Sequence, residues 1–166
     1  MGVEITISPL LKDDIQAIME IELRSQMEPW SERSFLEELG RLHSHLLVAR
    51  VATADEGESR QAPTGFVIAG YICYWCVADE IQILNIAVGK EFRRRGIARA
   101  LLSNAIDTGR ALKADVATLE VRKSNFAARR LYESFGFRTV GERPNYYGVQ
   151  TEPAVLMELD ISWKDG

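Results

Sequence analysis

Between Gly65 and Val88 the chain reads GFVIAGYICYWCVADEIQILNIAV. β-Branched and aromatic residues dominate this run, and such residues favour strands. The break near Ala78 to Glu80 makes it two consecutive strands. Directly afterwards the period changes. Ile97, Ala98, Leu101, Leu102, Ala105 and Ile106 fall at helical spacing. A strand pair that feeds straight into an amphipathic helix requires a sheet with helices packed on it.

The rest of the chain fits that frame. Val3 to Ser8 alternates apolar and polar residues and is expected to be a strand. Pro9 is expected to open a helix that carries Leu11, Ile15, Ile18, Met19 and Glu22 at helical spacing. Pro29 and Trp30 interrupt it, and Ser31 is a suitable N-cap for a second, short helix ending at Gly40. HLLVARVA is a strand, and the Gly- and Pro-containing segment over about 53–64 is an exposed hairpin loop. DVATLEVR is a strand. Ala128, Leu131, Tyr132 and Phe135 form a helical stripe closed by Gly136. FRTVGE and AVLMELDI are late strands. The order β-α-α-β-β-β-α-β-α-β-β over residues 1–166 is that of a single mixed α/β domain.

With 24 Asp and Glu against 20 Lys and Arg, the net charge is −4. That argues against a general nucleic-acid binder, which is normally basic, and leaves room for a cationic substrate. No stretch approaches the roughly 18 apolar residues of a membrane span, and the first residues lack the basic start and apolar run of a signal peptide. The expected location is the cytoplasm, away from membranes. Cys73 and Cys76 have the spacing of a redox pair. Such a pair needs its first cysteine at a helix N-terminus. Here both lie in a strand, where residues three apart point to opposite faces, so two reduced packing thiols are expected. His43 and His45 have no partners at metal-ligand spacing, so no metal is expected.

FRRRGIARALL, from Phe92 to Leu102, places Arg93, Arg94 and Arg95 before Gly96 at a helix start. The unpaired N–H groups of a helix N-terminus attract anions, and a residue without a side chain lets the anion approach the backbone. Ala98 keeps the next position small, and Arg94, Arg95 and Arg99 add charge. A phosphate cradle and a solvated basic turn both fit this stretch taken alone.

RRRGIA, preceded by LNIAV and followed by LEVRKSN, LYESFGF and NYY, resembles the GNAT acetyltransferases. The set is similar to the RimI-type group within them, the N-terminal acetyltransferases of ribosomal-protein alanine, and PWSE at Pro29 to Glu32 also belongs to it. The resemblance covers about Ile5 to Leu159. It implies a mostly antiparallel, twisted central sheet flanked by helices, with acetyl-CoA as cosubstrate. It also implies that the backbone of Ile86, Ala87 and Val88, on a strand that splays from its neighbour, binds the pantetheine arm. The backbone from Arg94 through Arg95, Gly96, Ile97 and Ala98 to Arg99 would wrap the pyrophosphate, and Asn125 would contact the cofactor. Ala98 stands where glycine is commoner in the signature.

Acetyl transfer from a thioester to an amine needs a neutral amine, an oriented attack and a protonated leaving thiolate. An N-terminal α-amine, with pKa about 7.7–8.0, needs only a modest base. In TLEVR, Leu119 and Val121 share one strand face while Glu120 and Arg122 share the other. A mid-sheet carboxylate is costly unless hydrated or paired, and a solvent-facing glutamate is its ordinary alternative. The family motif assigns Glu120 as general base. Tyr132 is, by its stripe, an edge-of-core tyrosine; the motif assigns it as the acid that protonates the CoA sulfur. The resemblance further implies that Tyr146 and Tyr147, in a loop between the late strands, line the acceptor groove. Trp30 is a candidate for the opposite wall, with core capping as the alternative for all three. Glu28, Glu32, Glu37 and Glu38 nearby hint at a basic peptide tail. The expected function is direct transfer, in a ternary complex, to a protein N-terminus, the alanine of a small-subunit ribosomal protein. Acetylation of a lysine or small amine, and a non-catalytic CoA-binding or ribosome-associated module, are the alternatives.

Overall fold

The computed structural model describes residues 4–53, 65–147 and 152–163, and at 145–147 the backbone alone. Its elements follow the expected order. They are β1 (Ile5–Pro9), α1 (Ile15–Ser25), α2 (Glu32–Leu39), β2 (Ser44–Thr53), β3 (Gly65–Val77), β4 (Glu80–Val88), α3 (Ile97–Ala111), β5 (Val116–Arg122), α4 (Phe126–Ser134), β6 (Arg138–Tyr147) and β7 (Glu152–Asp160). The seven strands form a mixed sheet in the order β1-β2-β3-β4-β5-β7-β6. β1 pairs β2, and β7 pairs both β5 and β6, antiparallel. β4 and β5 are parallel, and α3 is the helical crossover that a parallel pair requires. Their register runs from Glu80↔Val116 to Ile83↔Leu119, while β4 itself continues to Val88.

Three expectations need correction. Pro9 ends β1 rather than opening α1; the Leu11 N–H instead donates to Asp14 Oδ2 at 2.8 Å in a single 3-10 turn, and α1 starts at Ile15. Leu11 is exposed and does not join the apolar stripe. Tyr146 and Tyr147 lie at the end of β6, not in a loop, because β6 runs on past two irregularities in its register until Tyr147 faces Glu152 of β7. Their side chains lie outside the described residues, as does the expected loop beyond Thr53.

By its internal packing the chain divides into two compact units, Met1–Cys73 with Asn85–Asn104, and Tyr74–Leu84 with Ala105–Gly166. In the first, Ile15 and Ile18 of α1, Phe35 of α2, Val48 of β2, Tyr71 of β3 and Ile97 of α3 are buried. Gly70 permits a close approach: a Cβ there would lie 2.7 Å from the Ala87 carbonyl and 3.3 Å from Ile97 Cγ2. In the second, Ala117, Leu119 and Val121 point from β5 into the core, as the alternation requires. Both cysteines are free thiols, Cys73 buried and Cys76 half-buried.

Candidate active site

The stretch expected to bind phosphate lies in the first unit. After β4, a single 3-10 turn at Lys90–Phe92 leads into the arginines. Two residues of the following turn take positive φ: Arg94 at 61° and Gly96 at 79°. Successive backbone N–H groups in such a turn form an anion-binding concavity. Helical bonding begins with Ala100 N–H donating to the Gly96 carbonyl at 3.0 Å, so the N–H groups of Ile97, Ala98 and Arg99 precede the helical ladder. A Cβ added at Gly96 would meet nothing within 4 Å. The missing side chain therefore opens space in front of the helix start and is not needed for packing. Ile97, buried, anchors that start in the core.

The arginine side chains are less concerted than their spacing suggests. Arg93 Nε reaches the Val88 carbonyl at 3.4 Å, and the Arg95 guanidinium lies 5.8 Å from the centre of the Phe92 ring. Arg94 and Arg99 are exposed. On β4, Ala87 is buried while Ile86 and Val88 are half-buried, consistent with alternation.

Trp30 is half-buried. Its ring lies 5.3 Å from that of Phe35, which in turn meets Tyr71 edge-on at 5.5 Å. Ser31 caps α2 as expected, accepting from Ser34 N–H at 3.1 Å. Two of the four nearby acids are already in ion pairs: Glu37 with Arg33 at 2.9 Å and Glu38 with Arg41 at 3.0 Å. This weakens the hint of a basic acceptor tail.

In the second unit, Glu120 sits on the half-buried face of β5 with an Arg143 guanidinium 3.1 Å from its carboxylate. That is the pairing a mid-sheet carboxylate needs. Arg122, on the same face, pairs with Glu152 at 3.4 Å. Glu152 also accepts from the Ser124 N–H at 2.7 Å, which fixes the turn between β5 and α4; the Ser124 hydroxyl first, then this N–H and Arg122, hold its carboxyl below the ordinary range. Asn125 is the N-cap of α4, its Oδ1 accepting from Ala128 N–H at 3.2 Å. A ligand contact by Asn125 would therefore use its amide N–H groups. Tyr132 is the buried residue of α4, edge-on to Phe137 at 5.8 Å.

Trp30 and the residues from Ile86 to Arg99 thus belong to one unit, and Glu120, Asn125 and Tyr132 to the other. Glu22, Asn85, Arg143 and Glu152 are not among the site residues expected from the sequence. Glu22 was visible as an acid inside an apolar helical stripe. Asn85 stood on the buried phase of an alternating strand. Arg143 and Glu152 gave no signal, because their partners are 23 and 28 residues distant in the sequence. Among the described residues no cluster of His, Cys, Asp or Glu could hold a metal ion, and no helix is long and apolar enough to cross a membrane.

Comparison with known proteins points in the same direction. The family model for the acetyltransferase (GNAT) family matches residues 15–137. The [ribosomal protein bS18]-alanine N-acetyltransferase of Salmonella typhimurium is 38% identical over 159 residues, covering 95% of this chain and 98% of that protein. The crystal structure of the ribosomal-protein-S18-alanine N-acetyltransferase from Escherichia coli superposes with a TM-score of 0.80 at 34% identity, covering 97% and 96% of the two chains. Ard1 from Thermoplasma volcanium gives a TM-score of 0.80 at 26% identity, covering 94% and 97%. With most of its length matched at every level, the chain belongs to the GNAT family of acetyltransferases.

Proposed function

We propose that residues 1–166 work as one cytoplasmic acetyltransferase domain that moves the acetyl group of acetyl-CoA to the N-terminal α-amine of a protein. The acceptor is the N-terminal alanine of ribosomal protein bS18, the substrate named for the Salmonella and Escherichia relatives. The observation that carries the reading is the turn at Arg94–Gly96. Two positive φ values and an open Cβ position stand directly before the first N–H groups of a 15-residue helix, the arrangement that suits a pyrophosphate.

On this reading the backbone from Arg94 to Arg99 holds the phosphates, and Ile86, Ala87 and Val88 offer backbone groups to the pantetheine arm. Asn125 contributes its amide. Glu120 takes a proton from the α-amine, directly or through water, and the amine nitrogen then attacks the thioester carbonyl carbon. The attacking nitrogen then sheds its second proton to solvent, from which Tyr132 is later reprotonated, and the C–S bond breaks as the tetrahedral intermediate collapses. Tyr132, a phenol whose ordinary pKa is about 10, returns a proton to the departing sulfur. Trp30 and the end of β6 at Tyr146 and Tyr147 border the acceptor.

The test is acetylation of paired peptides bearing the bS18 N-terminus, one free and one blocked at the α-amine, followed by mass spectrometry. Acetylation of the free peptide alone is expected. Activity that survives the block would overturn the Nα assignment in favour of a lysine or small-amine acceptor.

A further inference from the structure

Glu22, on α1, is fully buried, yet the chemistry above does not use it. Burial pushes its carboxyl above the ordinary range, and hydrogen bonds from Trp30 and Asn85 only partly oppose this. Among the described residues it has no cationic partner. A buried carboxylate without a counter-ion is costly, and an apolar residue of similar volume would be the cheaper filling. Its hydrogen bonds show what the carboxylate does. Oε1 accepts from the backbone N–H of Trp30 at 2.9 Å and from Asn85 Nδ2 at 3.1 Å, and Oε2 accepts from the same amide at 3.2 Å. Asn85 Oδ1 accepts from Gln26 Nε2 at 3.0 Å, and Gln26 Nε2 lies 3.4 Å from the Ile86 carbonyl.

One side chain therefore ties the turn between α1 and α2 to the strand that leads into Ile86. All of these residues belong to the same compact unit. The indole of Trp30 leans on Phe35, and the Glu22 carboxylate fixes the Trp30 backbone to β4 through Asn85. We propose that Glu22 is a positioning residue for the acceptor, holding the Trp30 turn at a fixed place relative to the Asn85–Ile86 backbone. The inference rests on the reading that Trp30 borders the acceptor and Ile86 the pantetheine arm. It accounts for the acid in the apolar stripe and for the asparagine on the buried phase of β4.

The two arms of the network can be cut separately. Glu22→Gln keeps a carbonyl oxygen for the Trp30 N–H. Its new amide N–H groups replace Oε2, so Asn85 Nδ2 loses one of its two acceptors and the Asn85 arm is weakened. Glu22→Leu removes both arms. For each variant, KM for the bS18 N-terminal peptide is measured at saturating acetyl-CoA, and Kd for acetyl-CoA is measured without peptide by calorimetry. Glu22→Leu is expected to raise peptide KM about tenfold, as when a buried donor loses its acceptor, with acetyl-CoA Kd within about twofold. Glu22→Gln is expected to bring peptide KM back to within about threefold of the parent protein. Equal peptide KM in parent and Glu22→Leu, a Glu22→Gln as impaired as Glu22→Leu, or a parallel rise in acetyl-CoA Kd would each overturn the proposal. Should Glu22→Leu not fold, Glu22→Asp, one methylene short of Trp30, is read by the same criteria. A parent protein that leaves the peptide unacetylated refutes the function reading itself, an outcome distinct from any of these.

Discussion

Gly96→Val decides whether backbone or side-chain charge holds the phosphates of acetyl-CoA. Gly96 has φ 79°, and a Cβ there meets no protein atom. The cost to folding is therefore backbone strain, about 1–2 kcal/mol for an L-residue in the left-handed region. For a chain of this size that lowers Tm by about 2–8 °C. The cost to binding is separate. The branched side chain fills the open approach to the first N–H groups of α3, and a hydrogen bond to a charged group contributes about 1.5–3 kcal/mol. Losing one such bond weakens affinity by about 10- to 150-fold. Arg93 is exposed, and its guanidinium reaches the Val88 carbonyl at 3.4 Å. An exposed charge contact is typically about 0.2–1 kcal/mol, at most about fivefold. Arg94→Gly is the companion control. It deletes a charge at φ 61° while relieving the same strain, so Tm should stay within about 3 °C, the relief offsetting the added freedom of the unfolded chain. Calorimetric Kd for acetyl-CoA and thermal melts of the three variants supply the comparison. A larger loss of affinity in Arg93→Ala than in Gly96→Val would refute the backbone argument.

Glu120→Gln and Tyr132→Phe should each lower kcat about 100-fold or more at saturating substrates, the usual scale of a lost general base or acid; kcat unchanged in both would favour a non-catalytic CoA-binding module. Burial pushes the Cys73 thiol up to about 12, so under about one molecule in 10,000 carries its thiolate at neutral pH. A maleimide should modify Cys76 in the native protein and Cys73 only on unfolding, and a Cys73–Cys76 disulfide on mild oxidation would contradict this. Burial alone would raise the Asp14 carboxyl, but hydrogen bonds from Arg50 and the Leu11 N–H outweigh it and hold the group below its ordinary 3.8. A depressed carboxyl contributes stability above its unfolded pKa and loses it as pH falls through the folded value. Asp14→Asn should therefore lower Tm by about 3–10 °C at pH 7, and the difference should shrink below about pH 3.8; a difference that is constant down to pH 2 would show that the charge is not responsible.

What the sequence disclosed about this protein has a physical pattern. Alternation, helical period and caps are set by residues within four positions of one another, so the strands, the helices and the Ser31 and Gly136 termini could be read directly. The misreadings arose where a remote partner decides. Pro9 looks like a helix opener until β1 pairs it with Leu47 of β2. The strand β6 looks finished after Glu142 until β7 carries it to Tyr147. Site residues divide in the same way. Gly96 announces itself by a local turn, whereas Asn125 was reached through the family motif and only the fold makes it the cap of α4. Arg143 and Glu152 became visible only once the sheet placed them against Glu120, Arg122 and Ser124.

The three consecutive arginines illustrate the limit of reading charge from composition. As a string they are a single basic feature, equally suited to RNA, phosphate or water. In the fold each does something different: Arg93 reaches back to β4, Arg94 bears the left-handed backbone, and Arg95 lies over Phe92. A nucleic-acid surface needs its charges spread along a face, whereas a pyrophosphate needs a short concave backbone with nothing in front of it. The open position at Gly96 meets the second requirement and would add nothing to the first. A charge run beside a glycine is thus better judged by the φ of the glycine than by the number of arginines. The same reasoning applies to Glu22, whose charge matters for the two N–H donors it gathers rather than for the field it projects.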